Sequence, residues 1–297
     1  MITNRGPFWL MIVTASATLG CWGGVAGVAS AQGAKAAASV QQKYETLDSS
    51  KFHRPIDINN RWLPMRPGMR WVYEGTTVED NGKTVPHRVE INITNLTKVI
   101  DGIRTIISYD LDYSDGKLVE AELAFFAQDN DGTVWHFGQY PEEYDNGKFV
   151  KAPAWIPGLE GARAGIVMKA APRLGAPSYS QGWGPAVGWT DRGITHAMGQ
   201  KVSVPAGNYD DVLVIKETSE SEIDAAQFKY YAAGVGNVRV GWAGSGEKTR
   251  EVLDLIKFEQ LNAEALAAID AKALELEKSA YQKSKKVFAH TPPAKPR

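Results

Sequence analysis

Cysteine is almost missing from this 297-residue chain: Cys21 is the only one. It lies in the stretch Met1 to Ala31, so a chain that loses this stretch has no disulfide, no thiol nucleophile and no thiolate ligand. An excess of either charge is missing too. Thirty-three basic residues stand against 34 acidic ones, which excludes a nucleic-acid or anionic-membrane footprint built on net charge. The chain also lacks G-x-S-x-G and H-x-x-x-H, and neither Gly158 to Gly165 nor Gly234-Val235-Gly236 has the Lys-Ser/Thr ending of a P-loop. The usual signatures of a serine hydrolase, a zinc protease and a nucleotide-binding protein are therefore absent.

What is present begins with an address. Arg5 precedes the apolar run Phe8 to Val13, small residues follow, and Ala29-Ser30-Ala31 ends the segment. This is the layout of a secretory signal, and it predicts a secreted or periplasmic protein starting at Gln32. Thr18-Leu19-Gly20-Cys21 approaches a lipoprotein signal, with Thr18 where Leu is usual. Anchoring through a lipidated Cys21 is thus an open alternative.

Gln32 to Asn60 is polar and weakly periodic and reads as a flexible tether. From Arg61 to Leu261 the punctuation is that of hairpins. Asn81-Gly82, Asp101-Gly102, Asp115-Gly116, Asp131-Gly132 and Asn146-Gly147 separate β-favouring runs. The expected fold is mainly β, an antiparallel meander forming a curved sheet or half-open barrel. Within it, 140–193 is rich in Gly, Pro and aromatics and reads as a long loop-rich insertion. Apolar residues then recur every three or four positions from Asn262 to Phe288, predicting a C-terminal helix. The stripe is thin, so the helix is expected to pack peripherally or to mediate weak self-association. Residues 289–297, with Pro292, Pro293 and Pro296, read as a disordered tail.

Five stretches carry a resemblance: PMRPGMRWVYEG (64–75), FFAQDNDGTVWHFGQYPEEYDNG (125–147), LEGARAGIVMKAAPRLG (159–175), VPAGNYDDVLV (204–214) and KYYAAGVGNVRV (229–240). In these the chain resembles a group of secreted bacterial β-rich proteins of unassigned function. The VPAG and YYA-x-GVG stretches also look like the half-open barrels of bacterial envelope lipoprotein carriers. The resemblance implies a β-rich envelope protein and supplies no catalytic residues.

Candidate chemistry is sparse. Asp129-Asn130-Asp131-Gly132 looks like the middle of a calcium loop, but Ala127 and Gly138 stand where its acids belong, so a hairpin turn is the better reading. No metal site and no cofactor is expected. Glu120 and Glu122 share one face of a strand and, with His136, make the candidate catalytic group of a secreted hydrolase or metal-assisted enzyme. Seven of the nine tryptophans lie beyond Ala31. Trp155, Trp183 and Trp189 fall in the loop-rich insertion, where they predict the mouth of a binding site for an apolar or ring-shaped small molecule. The sequence favours this non-catalytic binding protein, whose partner is such a ligand or an envelope protein, over the enzyme.

Overall fold

The computed structural model describes residues 43–297; the expected export signal and Cys21 lie outside the described residues. Strands β1 (Met69–Val78), β2 (Thr84–Ile100), β3 (Ile103–Ser114), β4 (Lys117–Gln128), β5 (Val134–Asp145) and β6 (Lys148–Lys151) follow one another as hairpins. After the irregular segment, which holds only β7 (Gly165–Met168) and β8 (Tyr179–Ser180), come five more. These are β9 (Arg192–Val204), β10 (Gly207–Thr218), β11 (Ala226–Ala232), β12 (Gly236–Ala243) and β13 (Val252–Gln260). The chain closes with α1 (Ala263–Lys283), α2 (Lys285–Phe288) and β14 (Lys295–Pro296).

All strands join one antiparallel sheet, β6-β5-β4-β3-β2-β1-β13-β12-β11-β10-β9-β8, with β7 on β5 and β14 on β2. The two meanders meet where β1 pairs with β13. The sheet is a half-open barrel and not a closed one, as the hairpin pattern predicts. Its two ends approach through the irregular segment, where Arg163 and Trp183 exchange both backbone hydrogen bonds.

Local chemistry explains the hairpins. Asp101-Gly102, Asp115-Gly116 and Asn146-Gly147 all have positive φ at both residues, the two-residue turn whose twist matches the flanking strands. At Asn81-Gly82 and Asp131-Gly132 only the glycine is left-handed, and the loops are wider. Asp129 fixes the second of them, its carboxylate accepting from the Asp131 and Thr133 amides and from the Trp135 indole. This is the hairpin reading of that stretch.

Alternation along the strands separates two cores. The inner cluster gathers Met69, Trp71, Tyr73, Val89, Ile91, Phe126, Leu213, Tyr231, Val240 and Leu253 from both meanders. The outer cluster places Leu96, Leu123, Phe125, Phe137 and Tyr140 against Ala273, Leu276, Ala280 and Phe288.

Three expectations are corrected here. The stretch up to Asn60 is no tether from residue 43 onward. Phe52 and Ile58 are buried, Ile58 bridges Met65, and the Asn60 side chain receives the Trp62 and Leu63 amides. The helix is not peripheral: Ala273, Leu276, Glu277 and Ala280 are buried against the sheet. The tail is not disordered, because β14 pairs with β2 at Leu96 and Thr97. The reason is strand length. β2 extends beyond its pairing with β1, which ends at Asn92, and β14 covers the edge left open.

Candidate functional site

The inner face is not uniformly apolar. Asp110 stands opposite Glu122 and Asp112 opposite Glu120 on the neighbouring strand. Glu122 is 1% exposed, Asp110 and Glu120 4%, Asp112 5%. Their in-between neighbours Tyr109, Ala121 and Leu123 belong to the outer core, so β3 and β4 are buried on both faces. Cross-strand carboxylates lie only about 5 Å apart at Cβ, a like-charge arrangement that disfavours ionisation. Burial first, then the neighbouring acids, push Glu120 and Glu122 well above the ordinary carboxylate range.

The other wall supplies one ammonium. Lys229, fully buried, donates to Glu217 at 2.6 Å, and Gln181 donates to the other oxygen of that carboxylate at 2.7 Å. Its field reaches Glu122, Glu251 and Asp191, in each case opposing the effect of burial. The His87 Nε2 lies 3.2 Å from both Asp112 and Glu251. Burial still lifts Glu251 to about 7. Both Glu122 oxygens, one Glu120 oxygen and the whole side-chain amide of Gln139 have no hydrogen-bond partner among the described residues. Gln139 faces Ala124 across the β4–β5 ladder and so sits diagonally beside Glu122.

Further along β5 lies an aromatic group. The His136 ring stacks on Phe126 at 5.1 Å and is edged by Trp155 at 5.1 Å and Trp189 at 5.3 Å. Burial drops the His136 pKa to about 3, so the ring is neutral at ordinary pH. Gly138 makes this possible: its φ of +95° and the Trp155 carbonyl 2.1 Å from where a Cβ would stand admit no larger residue. The Trp155 and Trp189 indole nitrogens have no partner among the described residues.

The sequence-derived residues are thus partly brought together. Glu120 and Glu122 share the inner face. His136 faces Phe126, four residues along β4 from Glu122, roughly 13 Å at the strand rise, so it does not join them. Trp155 and Trp189 meet, with ring centroids 5.6 Å apart. Trp183 does not join them: Gly182 and Gly184 on either side of it lie against the Trp155 ring, so its own side chain takes the opposite face, under Lys43. Beside Trp155 there is a cavity of only about 10 Å³. Asp110, Asp112, Gln139, Lys229 and Glu251 were not singled out from sequence. The signal was there in Ser108-Tyr109-Asp110-Leu111-Asp112, whose alternation reads as a solvated face. Among the described residues no group of three or more His, Cys, Asp or Glu is arranged to hold a metal ion.

These groups set an expected pH profile. His136 lies at about 3 against an ordinary 6.5. The unfolded chain holds the extra proton between those values, and stability falls as pH drops through them. Glu251 lies at about 7 against 4.5, with Glu120 and Glu122 raised in the same sense. Here the folded chain holds the extra proton, and stability falls as pH rises from 4.5 through 7. Between 4.5 and 6.5 the three raised carboxyls outweigh the one lowered histidine, so the urea midpoint should peak at about pH 4 and decline on both sides. His136→Phe should make the acid side shallower, and Glu120→Gln with Glu122→Gln the alkaline side. A midpoint rising steadily from pH 5 to 8 contradicts this reading.

No protein-family model matches the chain, and no curated protein matches it. Among solved structures it is similar to a Bacteroides fragilis protein with a YmcC-like fold, described as a candidate exported protein. Identity is 12%, the TM-score 0.38, and the match covers 68% of this chain and 100% of the other. A Parabacteroides distasonis protein described as a candidate lipoprotein matches at 11% identity and a TM-score of 0.35. That match covers 67% of this chain and 99% of that one. No helix among the described residues is long and apolar enough to cross a membrane.

Proposed function

We propose that the chain is an exported, non-catalytic binding protein whose half-open barrel holds an amphiphilic small molecule against the inner face. The observation that carries this reading is a group of buried polar side chains with atoms that have no partner among the described residues, Glu122, Gln139, Trp155, Trp189 and Tyr231 among them. Each unsatisfied buried group costs about 1–3 kcal/mol, and an apolar residue at the same place would avoid the cost. Glu122 and Gln139 lie diagonally beside each other on the inner face, a grouping that fits a binding surface better than a core. The N-terminal signal layout supports export, and Trp155 and Trp189 supply an apolar wall beside the polar layer. The half-open barrel of the envelope lipoprotein carriers is the architecture this reading invokes.

Native mass spectrometry of the protein purified from its own host tests the proposal. A retained small molecule, released on denaturation, is the expected result. A chain that emerges at its bare polypeptide mass, and that no amphiphile protects against thermal unfolding, overturns it.

A further inference from the structure

The charge on the inner face narrows the ligand, on the reading that this face is a binding site. Cations near the acids are already engaged. Lys229 is held by Glu217, His87 stands between Asp112 and Glu251, and Lys151 reaches Glu143 at 3.3 Å. Among the described residues Glu120 and Glu122 have no ion pair, and the Glu122 carboxyl, wholly inside the protein, has neither oxygen bonded. These acids occupy strand positions whose inner-face neighbours are Ala124, Phe126, Val89 and Ile91. Apolar residues would fit there at lower cost.

We propose that Glu120 and Glu122 form a headgroup site for a protonated amine, so that the molecule held in the barrel is a cationic amphiphile. An ammonium group carries three donors and no acceptor. Both Glu122 oxygens and the Gln139 carbonyl oxygen offer it acceptors on one small patch, and Gln139 is a second, independent pointer because its buried amide is unpartnered as well. Asp110 and Asp112 from β3 and Glu143 from β5 reinforce the negative field, while Lys229 across the barrel weakens it. Binding replaces a carboxyl proton by the ammonium, so protons leave as the amine enters.

The test is calorimetric titration of the purified chain with decylamine, decanol and decanoate, three probes sharing a tail and differing in headgroup charge. Decylamine should bind about tenfold or more tightly than decanol, as expected for charge-assisted hydrogen bonds. Its heat should vary with the ionisation enthalpy of the buffer, reporting proton release. Glu120→Gln with Glu122→Gln should cut the preference for decylamine over decanol to about threefold or less. Gln139→Leu, which touches no acid, should lower the same preference and serves if the double variant does not fold. If decanol or decanoate binds as well as decylamine, or the preference survives the substitutions, the amine assignment falls while the binding reading stands. If none of the three binds, both fall.

Discussion

A chain ending at Leu261 should fail to fold. The 36 residues beyond it contribute Ala273, Leu276, Ala280, Val287 and Phe288 to the outer core, where they cover Leu96, Phe125 and Tyr140. They also neutralise Lys98. This lysine has a fully buried side chain, and its ammonium donates to Glu277 at 2.6 Å, to the Tyr281 hydroxyl at 2.9 Å and to the Pro292 carbonyl at 2.7 Å. All three partners lie in the removed segment. Glu277→Ala isolates the electrostatic part: it leaves a buried ammonium without its counter-ion, at a cost of about 3–5 kcal/mol. Lys98→Met combined with Glu277→Leu removes both charges and should recover most of that loss. Urea unfolding followed by circular dichroism reads all of these. A truncated chain that unfolds cooperatively at the full-length midpoint would return the helix to the periphery.

Trp155→Ala should cost about 3–5 kcal/mol, the range for emptying a large buried aromatic site. Trp155 is 3% exposed and Trp189 1%, and each supports the other and the His136 ring. Trp189→Ala should therefore cost a similar amount. Trp183→Ala should cost about 1 kcal/mol or less, since its half-buried ring lies on the other face and shares none of these contacts. The comparison separates a wall, which is part of the frame, from a mobile lid. Equal and small losses at all three positions would restore the lid and place the tryptophans at a mouth.

Most of the scaffold was legible because hairpins write themselves locally. Asp-Gly and Asn-Gly take left-handed φ values that few other pairs tolerate, and the runs between them alternate. What alternation cannot report is curvature. In Tyr109-Asp110-Leu111-Asp112 and Glu120-Ala121-Glu122-Leu123 it shows that two faces differ, and a flat sheet would turn the acids to water. Here the sheet curls so that β9–β13 face β3–β5, and α1 covers the outside, so both faces are buried. The acids thus looked solvated when they are interior, and Lys229 gave no sign of facing them across the barrel. The tail failed for a related reason: Lys295 and Pro296 have no strand propensity worth reading and take that form only on the open edge of β2. The separation of His136 from Glu122 follows from register along β4 and β5, a quantity fixed by the bulge between Ala124 and Phe126 and invisible in composition.

The central claim is that the inner face around Glu122 and Gln139 is a ligand surface and not a costly core. A crystal structure of the protein purified from its own host examines that face directly. The account predicts electron density for a bound molecule within hydrogen-bonding distance of the Gln139 amide and the Glu122 carboxyl. Glu122 and Gln139 bonded instead to other side chains of the protein, with the inner face packed shut around them, would contradict it.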